Sequence, residues 1–228
     1  MKRFNIAILS IALLLLASSV HAGIVVNFDE PGLNPGDFVT GETINDITFS
    51  VSMQGNTGGE PRELMLYDSD CVGAGCSGGD DDLSTVGKSF MKDDERVEGP
   101  FGNILIISED NDVGDPDDSR FGGKISGSFG VDITAITIVY IDFEESGSTL
   151  TMFNEGMEIV SAVIPSVPNG EISTIGFMGG LYDEFELDLV GSGGIVEIHY
   201  TPVPIPAALP LFMAGLVGLM GLRKKKSA

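Results

Sequence analysis

Tryptophan is absent from the 228-residue chain, and histidine and cysteine occur twice each. The missing tryptophan counts against an aromatic platform for sugar rings, leaving that role to Tyr67, Tyr140, Tyr182 and Tyr200, because the thirteen phenylalanines read mostly as core. Only His199 follows the N-terminal segment, too few nitrogen ligands for tetrahedral zinc. It alternates outward on a strand with no nucleophile motif nearby, so it reads as a surface residue rather than part of a Ser-His-Asp site. Basic residues are scarce in the body of the chain. Six of the twelve lie at the ends, at Lys2, Arg3 and Arg223 to Lys226, and no acid does. The segment between carries 6 basic against 34 acidic side chains, a formal charge of −28. Such a body repels nucleic acid phosphates, which removes that partner class.

The two ends read as addresses. Lys2 and Arg3 precede an uncharged run, Phe4 to Ala17, followed by Ser18-Ser19-Val20-His21-Ala22. Small residues at Val20 and Ala22 fit a cleavage site, so residues 1–22 are predicted to be a signal peptide and Gly23 the mature start; a permanent N-terminal helix is the competing reading. At the other end Val203-Pro204-Ile205-Pro206-Ala207 leads into sixteen uncharged residues, Ala207 to Leu222, and then Arg223-Lys224-Lys225-Lys226. As a helix that run spans about 24 Å against a hydrocarbon core of roughly 30 Å, a short membrane anchor. The basic cluster would hold its end in the cytoplasm.

The tail, residues 202–228, resembles the PEP-CTERM class of sorting signals, a Pro-containing motif followed by a small hydrophobic helix and a basic cluster. Ile205 stands where that family usually carries Glu, so the match is to the variant Val203-Pro204-x-Pro206-Ala207. The resemblance implies an exosortase-type membrane protease as partner, anchoring in the inner membrane before processing, and delivery to the cell surface or outside it alongside exopolysaccharide or biofilm. An uncut C-terminal anchor is the alternative.

Between the ends the pattern is β. Ile47, Phe49 and Val51 alternate with Thr48, Ser50 and Ser52, and Val196, Ile198 and Tyr200 with Glu197 and His199, giving strands with one apolar and one wet face. Ile104 to Ile107 and Ile133 to Ile141 are apolar on both sides, as strands covered on both faces are. Thr149 to Phe153 and Met157 to Ile164 flank Asn154-Glu155-Gly156 as a hairpin. About a dozen strands, 31 glycines and no amphipathic helix predict one all-β domain over 23–201, an antiparallel, jelly-roll-like β-sandwich.

Acidic residues concentrate between 68 and 118. Asp68, Asp70, Asp80 and Asp82 surround Cys71 and Cys76; Asp110, Asp112, Asp115, Asp117 and Asp118 follow a buried strand. Calcium takes six to eight oxygen ligands from flexible loops, so these nine aspartates are the candidate ligands of a Ca2+ site, with a solvated acidic surface as the competing reading. The Asp110-x-Asp112-x-Gly114 spacing only partly follows the helix-flanked calcium loop. In an exported chain the cysteine pair reads as a disulfide, with free thiols or half a metal site as alternatives.

The runs Leu64 to Ser69, Gly78 to Leu83, Gly102 to Glu109, Asp115 to Asp118 and Gly122 to Ile125 resemble a series in bacterial surface sandwich domains that often end in this sorting tail. That resemblance implies a secreted β-sandwich without known catalysis, similar in build to carbohydrate-binding modules. The expected function is therefore a non-catalytic, adhesive or glycan-binding surface or matrix protein, stabilised by calcium and one disulfide, with extracellular polysaccharide as partner. A secreted hydrolase of matrix polysaccharide is the rival; with 34 acids, a carboxylate pair by itself discriminates nothing.

Overall fold

Period-2 alternation produces the strands it predicts: Ile47 and Phe49 are buried while Thr48 and Ser50 are exposed. The computed structural model describes residues 23–52, 62–92 and 94–204. The predicted signal segment 1–22, Pro206, Ala207 and the predicted helix 207–222 lie outside the described residues. Val203 and Pro204 follow the last strand without regular structure.

Gly23–Pro202 contains all the described strands. These are β1 (Ile24–Val26), β2 (Thr43–Ile44), β3 (Ile47–Ser52), β4 (Leu64–Asp68), β5 (Ser89–Lys92), β6 (Glu95–Glu98) and β7 (Asn103–Ile107). There follow β8 (Gly123–Ile141), β9 (Thr149–Asn154), β10 (Met157–Val163), β11 (Ile172–Leu189) and β12 (Gly194–Pro202). Every pairing is antiparallel.

The two long strands build a sandwich by serving both of its layers. Residues 123–129 of β8 pair with β3 on one side and with residues 184–189 of β11 on the other, and β9 and β10 extend that first layer beyond β11. Residues 133–141 of β8 pair with β12 and with residues 172–182 of β11, and β7 and β4 extend the second layer, with β1 beside the C-terminal half of β12. The change of layer falls where the ladder slips, between Met178 and Tyr182 and again before Glu184. Such irregularities bend a strand and let it turn a corner between packed sheets. The predicted strand Ile133–Ile141 is thus the second half of one longer, bent strand. Strand β11 likewise runs unbroken through its bend.

Two apolar clusters result. The larger lies between the layers and joins Phe49, Ile125, Phe129, Leu150 and Phe185 of the first to Leu105, Ile136, Ile138, Ile198 and Tyr200 of the second. The Phe129 and Tyr200 rings meet across the gap at 5.1 Å. Gly127 makes room for Phe185, because a Cβ at residue 127 would lie 2.1 Å from that ring. The smaller cluster sits on the outer face of the second layer, where Tyr67, Ile104, Ile106, Val139, Ile141 and Val196 pack under Cys76, Leu83, Phe90 and Phe101. This explains why β7 and the second half of β8 are apolar on both faces: the segment 69–101, including the β5–β6 hairpin, covers the second one.

Candidate functional site

The segment after β4 winds through three short 3-10 turns, Gly73–Gly75, Ser77–Gly79 and Asp81–Leu83, and is closed by a Cys71–Cys76 disulfide with the two Cα atoms 4.9 Å apart. Buried Tyr67 anchors it from below, its hydroxyl donating to the Asp80 carbonyl at 2.7 Å. Desolvation on burial, then the surrounding aspartates, push that phenol's pKa above its ordinary value.

The second acidic segment, after β7, is clipped onto the first. Ser77 Oγ and the Gly78 N–H donate to Asp115 Oδ1 at 2.9 and 2.8 Å, and the Asp118 N–H donates to Asp80 Oδ2 at 3.1 Å. Asp117 presses on Gly78 so closely that a Cβ at residue 78 would lie 2.3 Å from its own, and Gly78 holds φ +62°. Only glycine satisfies both conditions.

Of the nine candidate calcium ligands, the structure gathers Asp80, Asp82, Asp110, Asp115, Asp117 and Asp118 around this junction. Asp110 and the other three accept backbone N–H groups. Asp68 accepts the Asp70 N–H, Asp70 the Gly102 N–H, Asp110 the Asp112 N–H and Asp112 the Gly114 N–H. Asp82 accepts from the Asn169 amide at 3.1 Å, and Asp118 from the Gly193 N–H. Asp117 Oδ1 is the exception, buried without a hydrogen-bond partner among the described residues. Among those residues no three His, Cys, Asp or Glu side chains form a metal-holding group. The carboxylates as they stand make a hydrogen-bonded junction between loops.

Crowding shows in their protonation. Burial, then repulsion from Asp80 and Asp142, raises Asp118 to about 7, although the Gly193 N–H opposes the shift. Burial, then Asp110 and Asp80, raises Asp117 to about 6. Asp142, at the end of β8, is raised to about 6 by burial while the Gly170 N–H at 2.6 Å opposes it. Asp115, exposed, is lowered by the Gly78 N–H and the Ser77 hydroxyl.

A second feature lies on the same outer face of the second layer, on the far side of the β5–β6 hairpin: a groove of about 570 Å³. Cross-strand register builds its floor. One row runs Met178, Ala135, Thr201 across β11, β8 and β12; the next runs Gly176, Thr137, His199 and then Val25 of β1; the third brings Thr174 beside Val139. Apart from His199 and Met178, the floor side chains are small, so the sheet forms a trough. Phe90, Met91 and Lys92 of β5 stand along it as a wall, and Met91 (60% exposed), Met178 (87%) and Val25 (40%) give it apolar edges.

His199 is not the open surface residue the alternation suggests. It faces away from the main core but lies under the hairpin, its side chain 14% exposed and edge-on to Phe90 at 6.3 Å. Nε2 is 2.8 Å from Glu197 Oε2, and Nδ1 is buried without a hydrogen-bond partner among the described residues. The groove residues come from four strands and a hairpin distant in sequence. No local motif marks them.

No protein-family model matches the chain, and no curated protein does. Among solved structures, the family 32 carbohydrate-binding module from C. perfringens NanJ in complex with galactose is similar at 12% identity and a TM-score of 0.35, over 78% of this chain and 98% of that one. A Streptococcus pneumoniae fucose binding module is similar at 9% identity and a TM-score of 0.29, over 37% of this chain and 67% of that one. The lectin domain of lectinolysin complexed with Lewis B antigen is similar at 9% identity and a TM-score of 0.30, over 37% and 70%. At these scores the likeness does not establish a shared fold, and the functional argument rests on the groove.

Proposed function

We propose that the protein is an exported, non-catalytic β-sandwich of the cell surface or extracellular matrix, jelly-roll-like in build, that holds a glycan in the groove over the second layer. The observation that carries this reading is the lining. A sugar ring presents C–H faces and hydroxyl edges, and the groove offers both counterparts: Thr137, Thr174 and Thr201 supply hydroxyls, while Met91, Met178 and Val25 supply apolar contact. Ligand sites combine a mainly apolar surface with a few placed polar groups in this way.

The rival reading, a hydrolase of matrix polysaccharide, needs two carboxylates about 5 to 10 Å apart flanking the substrate. Among the described residues the groove lining contains none, which favours holding over cutting. The loop carboxylates with raised pKa values keep the rival in play, because a carboxyl held protonated near neutrality is what a general acid requires. A glycan array read together with an assay for released reducing ends decides between them. Binding without release is expected; release that is lost in Asp117→Asn or Asp118→Asn would favour the hydrolase.

Calcium belongs to this proposal as a stabiliser. Asp117 Oδ1, without a hydrogen-bond partner among the described residues, and the mutual repulsion at Asp118 are what a cation would relieve, with the loops drawing in around it. Delivery follows the sequence reading: export through residues 1–22, a membrane stop at helix 207–222, and processing by an exosortase-type protease at Val203–Ala207, with extracellular polysaccharide as partner and no nucleic acid.

A further inference from the structure

The groove differs in charge from the rest of the molecule. About one residue in five between 23 and 204 is acidic, yet no carboxylate lines it among the described residues. Five of the six basic residues of the body are engaged elsewhere. Lys124 pairs with Glu186 and Asp188, Arg96 with Glu98 at 3.3 Å, and Arg120 with Glu109 at 3.9 Å while stacking on Phe121. Arg62 donates to Ser119 Oγ at 3.0 Å and lies over the same ring, and Lys88 donates to the Asp82 carbonyl at 2.7 Å. The sixth is Lys92, half-buried in the β5 wall of the groove. Glu95 is its partner across the hairpin, but among the described residues no carboxylate lies within ion-pair distance of it.

We infer that the glycan held in this groove carries a carboxylate, as a uronic acid unit does, and that Lys92 is the side chain that reads it. The inference rests on the groove being a glycan site. A half-buried ammonium that has no carboxylate within ion-pair distance among the described residues, in a trough whose described lining holds no acid, is complementary to an anionic group, and a charge-assisted hydrogen bond outweighs one to a neutral hydroxyl. The −28 body does not cancel this. At physiological ionic strength its field is screened within about 8 Å, whereas the contact inside the groove is short-range. Duplex nucleic acid, with one charge per about 1.7 Å of axis when both strands are counted, meets more repulsion from the acidic body than a single-chain polyuronate does.

Titration of the full chain with oligogalacturonate and with its methyl ester tests the inference, since esterification removes the carboxyl charge at the cost of one added methyl group per unit. The acid form is expected to bind about tenfold more tightly, as losing one charge-assisted contact implies. Lys92→Gln should close the gap between the acid form and the ester, and Lys92→Arg should restore the preference. A thermal melt confirms that each variant folds. Equal affinity for the two forms, or tighter binding of the ester, overturns the inference and leaves the glycan site standing. A preference that survives in Lys92→Gln overturns the role of Lys92. Failure to bind either probe by a chain that binds neutral glycans also overturns the inference, and failure to bind any glycan overturns it together with the reading beneath it.

Discussion

The backbone N–H of Asp118 donates to the carboxylate of Asp80 at 3.1 Å, so two loops 38 residues apart in the chain are joined acid to acid. The Asp118 carboxylate in turn accepts the Gly193 N–H, which ties the same junction to the start of β12. Hydrogen bonds hold these groups together against their charges.

That balance predicts a pH dependence. Asp118 is raised to about 7, and Asp117 and Asp142 to about 6, against roughly 3.9 for an unfolded aspartate. Between about pH 4 and pH 7 the folded chain therefore binds protons that the unfolded chain has released, and stability falls as pH rises through this window. In a chelator-containing buffer the melting temperature should drop from pH 5 to pH 8. Asp118→Asn should flatten the profile and raise the melt at pH 8 by several degrees, at about 2 to 4 °C per kcal/mol. A melt that climbs from pH 5 to pH 8 would contradict the assignment.

Gly78→Ala should detach the loops. The substitution places a Cβ against Asp117 and strains a positive φ, so a loss of about 1 to 3 kcal/mol is expected in chemical denaturation. An unchanged midpoint would show that the loops do not pack as described.

The sequence made the strands legible because alternation survives wherever one face is wet, as at Ile47, Phe49 and Val51. It also made legible that β7 is covered twice, since Ile104 to Ile107 are apolar throughout, but not what covers it. The cover is a glycine- and acid-rich segment whose few apolar side chains, Leu83, Phe90 and Phe101, show no periodicity. Strands β5 and β6, four residues each among charges, carried too little pattern to be read. Without that hairpin His199 looked exposed. The continuity of β8 into its first half is hidden from the pattern because Gly130-Val131-Asp132 interrupts the apolar run. The groove was invisible, because Thr137, Thr174 and Thr201 meet only through the register of three strands.

The Cys71–Cys76 bridge closes a short loop, so it restricts the unfolded chain only modestly, and replacing both cysteines by serine should cost no more than about 3 kcal/mol. Alkylation of the denatured, unreduced protein should label neither sulfur. Labelling of both would refute the bridge.

Millimolar calcium should raise the melting temperature more than sodium chloride of matched ionic strength. A ligand of the folded state contributes RT ln(1 + [L]/Kd), about 2.7 kcal/mol at a hundredfold excess over Kd, whereas screening acts alike for both salts. Asn at positions 115, 117 and 118 together should remove the difference. Equal shifts in the two salts would reduce the acids to a solvated, hydrogen-bonded junction.

The groove itself is tested most directly by filling it. Ala135 lies on its floor between Met178 and Thr201, facing away from the main core, so Ala135→Trp occupies the trough while leaving the interlayer packing in place. Wild type and variant, checked by melting curves for a common fold, are read side by side on one glycan array. Glycan signals from the wild type that fall at least tenfold in Ala135→Trp are the predicted result; signals of equal strength from both, or none from the wild type, would contradict the account.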